Sequence, residues 1–205
     1  SLPPLPAKPR HASPGSVITL LQRPVILLGM LATGSFFMGQ FVLFTYIRPF
    51  LENITRVNPA QLSLILLGMG IAGFIGTTVI GVVLKKRLWH TLTLIPMLMA
   101  AIGIMLTLIN HHVFLVSALL LLWGLTATAA PAGWWYWLAQ SLPENAEAGG
   151  GLMVAVIQLC IALGSTLGGM LLDSQGYRIT FCASAALLVL SALLTLFTRR
   201  NACAI

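Results

Sequence analysis

Lys, Arg, Asp and Glu are absent from residues 24–47, 57–84, 88–143, 148–172 and 179–198, and within these stretches apolar residues run almost unbroken. A helix needs about 20 mainly apolar residues to cross the hydrocarbon layer of a membrane. Four of the stretches therefore hold one crossing each. The stretch 88–143 is long enough for two, and the polar interruption "INHHVF", Ile109 to Phe114, supplies the turn between them. Six spans follow, numbered 1 to 6: about 25–47, 61–84, 88–109, 113–139, 150–172 and 178–198. A membrane β-barrel would show alternating segments of about ten residues. These runs are continuous and rich in Leu, Ala, Gly and Met, which makes the chain an all-α membrane protein.

Composition agrees, with 58% of residues hydrophobic and 7% charged. The net charge of +7 could point to nucleic acid in a soluble protein, but its placement gives a better reason. Basic residues favour the cytoplasmic side of short membrane loops. With six spans, one side collects Lys8, Arg10, Arg23, Lys85, Lys86, Arg87, Arg199 and Arg200, and the other only Arg48, Arg56 and Arg178. Both termini are therefore expected in the cytoplasm, and no nucleic-acid partner is expected. Residues 1–22 read as a Pro-rich cytoplasmic linker, residues 23–200 as the transmembrane bundle, and residues 201–205 as a cytoplasmic tail. A chain that opens inside a linker is expected to have been cut from something longer. Cys160, Cys182 and Cys203 form no ligand pattern and read as small hydrophobes. Neither metal nor cofactor is expected.

Helices in lipid associate closely where small residues let their backbones approach. Span 2 carries Gly68, Ala72 and Gly76 at four-residue spacing, with Gly73, Thr77 and Gly81 as a second row, and span 5 carries Gly164 and Gly168. Spans 2 and 5 are therefore expected to be central packing helices rather than lipid-facing ones. Each is also the second helix of a three-helix set. An odd number of spans per set gives the two sets opposite topology, as in transporters built from inverted repeats.

Polar groups inside a span are costly unless they meet protein, water or ligand. Gln40, Thr126, Thr128 and Gln158 are the main ones. Gln158 fits either a helix-to-helix hydrogen bond or the lining of a solute cavity. Arg48, between Tyr46 and Pro49, reads as a snorkelling cation at a helix terminus. In "PAGWWYWLAQ" four successive rings, Trp134 to Trp137, point in four directions, so interfacial and cavity roles can both apply. Trp123 lies about three turns before Trp134 on nearly the same face, which makes those two the better cavity pair. Enzyme chemistry is not expected. His111 and His112 are the only cluster of catalytic type, and adjacent residues on a helix diverge by about 100°.

The segments "FTYIRPFL", "LLWGLTATAAPAGWWYWL" and "GGGLMVAVIQLCIALGSTLGGMLLDSQGY" resemble the C-terminal half of major facilitator superfamily transporters. Within that superfamily they are most similar to the drug:proton antiporter group and its bacterial purine ribonucleoside efflux pumps. The resemblance implies a fold of twelve helices in two six-helix bundles, with spans 1–6 as the seventh to twelfth. It further implies a secondary efflux transporter of the bacterial inner membrane that exchanges a small solute, nucleoside-like by preference, for protons by alternating access. Its partners would be that solute, protons, lipid and an N-terminal six-helix half that carries the proton-titrating carboxylate. By the same resemblance Gln40, Tyr46, Trp123, Trp134 and Gln158 face the central cavity. The loop "GVVLKKRLWH" departs from the family pattern in having no acidic residue, which puts gating contacts of that acid in doubt. Sugar or drug export, or a truncated remnant that does not transport, stay open as alternatives.

Overall fold

The computed structural model describes residues 20–143 and 145–202, apart from the side chain of Lys86. The linker reading for 1–22 and the tail reading for 201–205 thus fall mostly outside the described residues. Among the described residues six helices are long and apolar enough to cross a membrane: α1 (Pro24–Thr55), α2 (Pro59–Lys85), α3 (Arg87–Leu108), α4 (Val113–Ser141), α5 (Ala146–Gln175) and α6 (Tyr177–Ala202).

Their boundaries follow from local chemistry. Helix α1 begins with Pro24, which has no N–H and so loses nothing in a first turn. Its regular winding runs to Phe44, breaks at Thr45 and Tyr46, restarts over Ile47–Phe50, and ends in a π-helical turn, Leu51–Thr55. Arg56 closes it in the left-handed region, with φ 59°. The expected helix terminus at Arg48 is thereby corrected. Pro49 falls in the first turn of the restarted helix, where backbone N–H groups have no intrahelical partner, so it does not stop the chain. Arg48 Nε instead donates to Glu52 Oε1, one turn on, at 2.9 Å. Helix α2 is fixed by a reciprocal cap: Gln61 N–H donates to Asn58 Oδ1 at 2.8 Å and Asn58 N–H to Gln61 Oε1 at 3.0 Å. Between α2 and α3 the chain reverses at Arg87 alone (φ −145°, ψ 48°), with helical backbone on both sides.

Packing runs in a swapped pattern. Helix α1 lies against α5 and α6, while α4 lies against α2 and α3. Helices α3 and α6 meet at Gly103, which faces Phe181 and Ala185. The second helix of each three-helix set thus packs on the first helix of the other, as a two-fold relation between the sets would require. Serines of α6 tie it to α1, since Ser184 Oγ donates to the Gly39 carbonyl at 2.6 Å and Ser191 Oγ to that of Ala32 at 2.8 Å.

Within this chain spans 2 and 5 are not the buried helices that their small residues suggested. Only 28% of the apolar window of α2 and 11% of that of α5 is buried, against 61% for α1 and 56% for α3. The glycines do form tight seams. Gly164 and Gly168 would place a Cβ 2.5 Å and 2.6 Å from the carbonyl oxygens of Met38 and Val42, and one on Gly76 would overlap the carbonyl oxygen of Leu125. A glycine row, however, governs one edge of a helix. The other faces of α2 and α5 meet nothing among the described residues, as exposed Leu64, Leu67, Phe74, Leu159 and Met170 demonstrate.

Candidate functional site

The aromatic run divides as its helical spacing requires. Trp134 and Trp137, three residues apart, turn inward and stack edge to face with centroids 6.0 Å apart, while Trp135 is 42% exposed and Tyr136 half-buried. The Trp137 ring occupies the space that a side chain on Gly29 would need, which brings α1 and α4 together. From that contact Gln40 is eleven residues along α1, and Thr126 is eleven residues back along the antiparallel α4. Gln40 therefore stands at the level of Thr126 and Trp123. Thr126 satisfies itself on the carbonyls of Leu122 and Trp123 at 2.9 Å and 3.1 Å. Gln40 Oε1, Trp123 Nε1 and Trp137 Nε1 are buried and have no hydrogen-bond partner among the described residues. Such groups are costly in a core, so they are places where a ligand or ordered water gains a hydrogen bond.

Tyr46 has a different setting. At the break in α1 its hydroxyl donates to the Ser165 carbonyl at 2.7 Å, and Thr45 Oγ1 lies 3.0 Å from Ser165 Oγ. The ring covers Gly168 and Gly169, whose lack of side chains makes room for it. Gln158 lies on the uncovered face of α5 and makes no hydrogen bond among the described residues. The five residues singled out in the sequence are thus not one cluster. Gln40, Trp123 and Trp134 lie in the closed interior, Tyr46 on the α1–α5 seam, and Gln158 on an open face.

Open space lies at the two ends of the bundle. At the end that carries Arg23, Lys85, Arg87, Arg199 and Arg200, a cavity of about 800 Å³ is lined by Arg23, Trp89, Trp137, Gln140 and Ser141, with Gln22 beside them. At the other end a hollow of about 250 Å³ is walled by Tyr46, Phe50, Asn53, Tyr177 and Phe181. Asn110 donates to the Tyr177 hydroxyl at 2.5 Å, which anchors the start of α6 there. Sequence reasoning missed Trp137 as an inward residue, although its spacing from Trp134 carried that signal. That Trp89 and Trp137 line one cavity has no sequence signal, since it depends on how α3 packs on α4. Among the described residues no three His, Cys, Asp or Glu come together as metal ligands.

The family model of the Major Facilitator Superfamily matches residues 29–203. The chain belongs to the major facilitator superfamily. As a member of this superfamily of transporters it is a multi-pass membrane protein with a transporter fold. Among curated relatives it is 56% identical over 204 residues to the transcription regulatory protein OpdE of Pseudomonas aeruginosa, covering 98% of this chain and 51% of the relative. It is 40% identical to the purine ribonucleoside efflux pump NepI of Shigella dysenteriae and 39% identical to NepI of Escherichia coli, each over 95% of this chain and 49% of the relative. The chain spans about half the length of the curated relatives it matches.

Proposed function

We propose that this major facilitator chain forms the C-terminal half of an efflux transporter that exchanges a small solute, nucleoside-like by preference, for protons by alternating access. The observation that carries the reading is the uncovered pair α2 and α5, in a chain half as long as its relatives. A second six-helix bundle laid across those faces would close a passage between the two halves, and rocking of one bundle on the other would open it to each side in turn. The NepI relatives are named for purine ribonucleoside efflux, which favours a nucleoside among small solutes. Gln158 on the open face would meet the solute directly. Gln40, Tyr46, Trp123 and Trp134 would take part when α1 moves at its Thr45–Tyr46 break. Amide and indole groups beside flat rings suit a base that both stacks and hydrogen-bonds. The proton-carrying carboxylate is assigned to the other half, and the arginine-rich end of the bundle to the cytoplasm of a bacterial inner membrane, following the charge asymmetry.

Vesicles test this. Membranes holding this chain together with an N-terminal half are expected to accumulate a radiolabelled purine ribonucleoside when a proton gradient is imposed, and to lose uptake with Gln158→Ala. Vesicles with this chain alone are expected to show none. Saturable uptake by the lone chain would refute the half-transporter reading.

A second reading has one observation in its favour, the regulatory name of the 56% identical relative. On it the fold binds a solute and signals rather than transports. Specific nucleoside binding without flux in the paired assay, with changed transcription on deletion, would favour it over efflux.

A further inference from the structure

We propose that the cavity at the arginine-rich end is a binding site for the headgroup of an anionic phospholipid. The site opens at the end of the α1–α4 contact, away from Gln40 and Trp123, and does not depend on whether the chain transports.

The argument starts from what the cavity offers. Arg23, Gln22, Gln140 and Ser141 present hydrogen-bond donors around a space of about 800 Å³, and no carboxylate lines it among the described residues. Trp137 also lines it with its ring, while its indole N–H is buried away from the open space. Donor-bearing side chains with no facing carboxylate suit an acceptor-rich ligand. The start of α1 adds to this. Its first turn has no acidic residue, Arg23 at the N-cap makes no side-chain cap, and Pro24 forms part of the wall. The positive end of the helix dipole therefore opens toward the cavity beside a guanidinium, a pairing that favours a phosphate group.

The choice of lipid over a soluble phosphate rests on the outside of the same helix. Arg23, Leu27 and Leu31 are spaced four apart, so they form one stripe. All three are exposed, Leu27 at 41% and Leu31 at 50%. An acyl chain can lie along the two leucines while its headgroup reaches Arg23 and turns into the cavity. Half-buried Trp89 gives the mouth an amphipathic ring of the kind that sits at headgroup depth.

Native mass spectrometry of the purified chain, titrated with phosphatidylglycerol or phosphatidylcholine, tests the site. Phosphatidylglycerol is expected to bind about fivefold more tightly than phosphatidylcholine, the scale of one arginine at an anionic headgroup. Arg23→Gln is expected to erase that preference, and Arg23→Lys to keep most of it. Arg200→Gln, at the same end but outside the cavity wall, is expected to leave it unchanged. Equal losses from Arg23→Gln and Arg200→Gln would mean a diffuse surface charge and overturn the site, as would no preference in the unaltered chain. Glycerol 3-phosphate is expected not to displace phosphatidylglycerol at millimolar concentration. Displacement by it would overturn the lipid assignment in favour of a soluble phosphate ester. Thermal unfolding of each variant, unchanged from the parent, verifies that binding and not folding has been altered.

Discussion

The α2–α4 and α1–α5 seams join equivalent helices of the two three-helix sets, yet they are built differently. In the first, glycines enter from both sides: Gly76 overlies the Leu125 carbonyl, and Gly124 lies so close that a Cβ there would be 2.5 Å from the Met69 carbonyl oxygen. Thr128 bridges the same seam, its Oγ1 donating to the Gly73 carbonyl at 2.7 Å. In the second, only glycines of α5 approach backbone, Gly34 of α1 meeting instead the side chains of Val156 and Cys160, and the bridging groups, Thr45, Tyr46 and Ser165, crowd at one end beside the break in α1. Close backbone approach from both helices makes the first seam the tighter one. A seam held by side chains at one end leaves the second free to pivot there. The difference teaches that matching topology does not require matching packing, and it sets the break in α1 at the end of the looser seam.

Substitutions ordered by size can break that comparison. Gly76→Ala should have the largest effect, because its new methyl group meets backbone that cannot rotate away; a loss of about 3 kcal/mol, the upper end of ordinary overpacking, is expected in reversible unfolding in detergent. Gly164→Ala meets the Met38 carbonyl across the looser seam and should cost about 2 kcal/mol in the same assay. Equal costs, or the reverse order, would remove the distinction between the seams. Tyr46→Phe removes a single hydrogen bond to Ser165 and should cost about 1 kcal/mol. Its more telling outcome is local: faster cross-linking loss between cysteines placed across the α1–α5 end, with the α2–α4 seam unchanged. The smallest effect belongs to Gly81→Ala. Nothing lies within 4 Å of a Cβ there, so only helix propensity changes, and a gain of under about 1 kcal/mol is expected.

How far the fold was legible depended on which side of a helix was in question. The charge-free stretches revealed six crossings, because a charge inside hydrocarbon is expensive and its absence is visible residue by residue. The glycine rows marked tight seams at Gly73, Gly76, Gly164 and Gly168, though not at Gly81, where nothing approaches. They left position open, since small residues register the approach of a neighbour on one edge and say nothing about the other faces. Arg48 and Pro49 looked like a helix end because both commonly are. The chain broke two residues earlier instead and restarted, so Pro49 fell where a missing N–H costs little. Of the candidate site, Gln158 was found on an open face, whereas the partnerless Trp137 was overlooked in favour of Trp123 and Trp134.

The sequence by itself determined the number of crossings, their helical character and the charge asymmetry between the two ends, because each depends on transfer between water and lipid, a property of composition along the chain. Which helices lie inside, which rings share a face with Gln40, and where the cavity around Arg23 and Trp137 opens were decided only by the tertiary structure. Those depend on contacts between residues far apart in sequence, such as Gly29 with Trp137 and Tyr46 with Ser165. In lipid, apolar residues carry little information about one another, so packing is selected by a few close backbone approaches and hydrogen bonds that appear only once the helices are side by side.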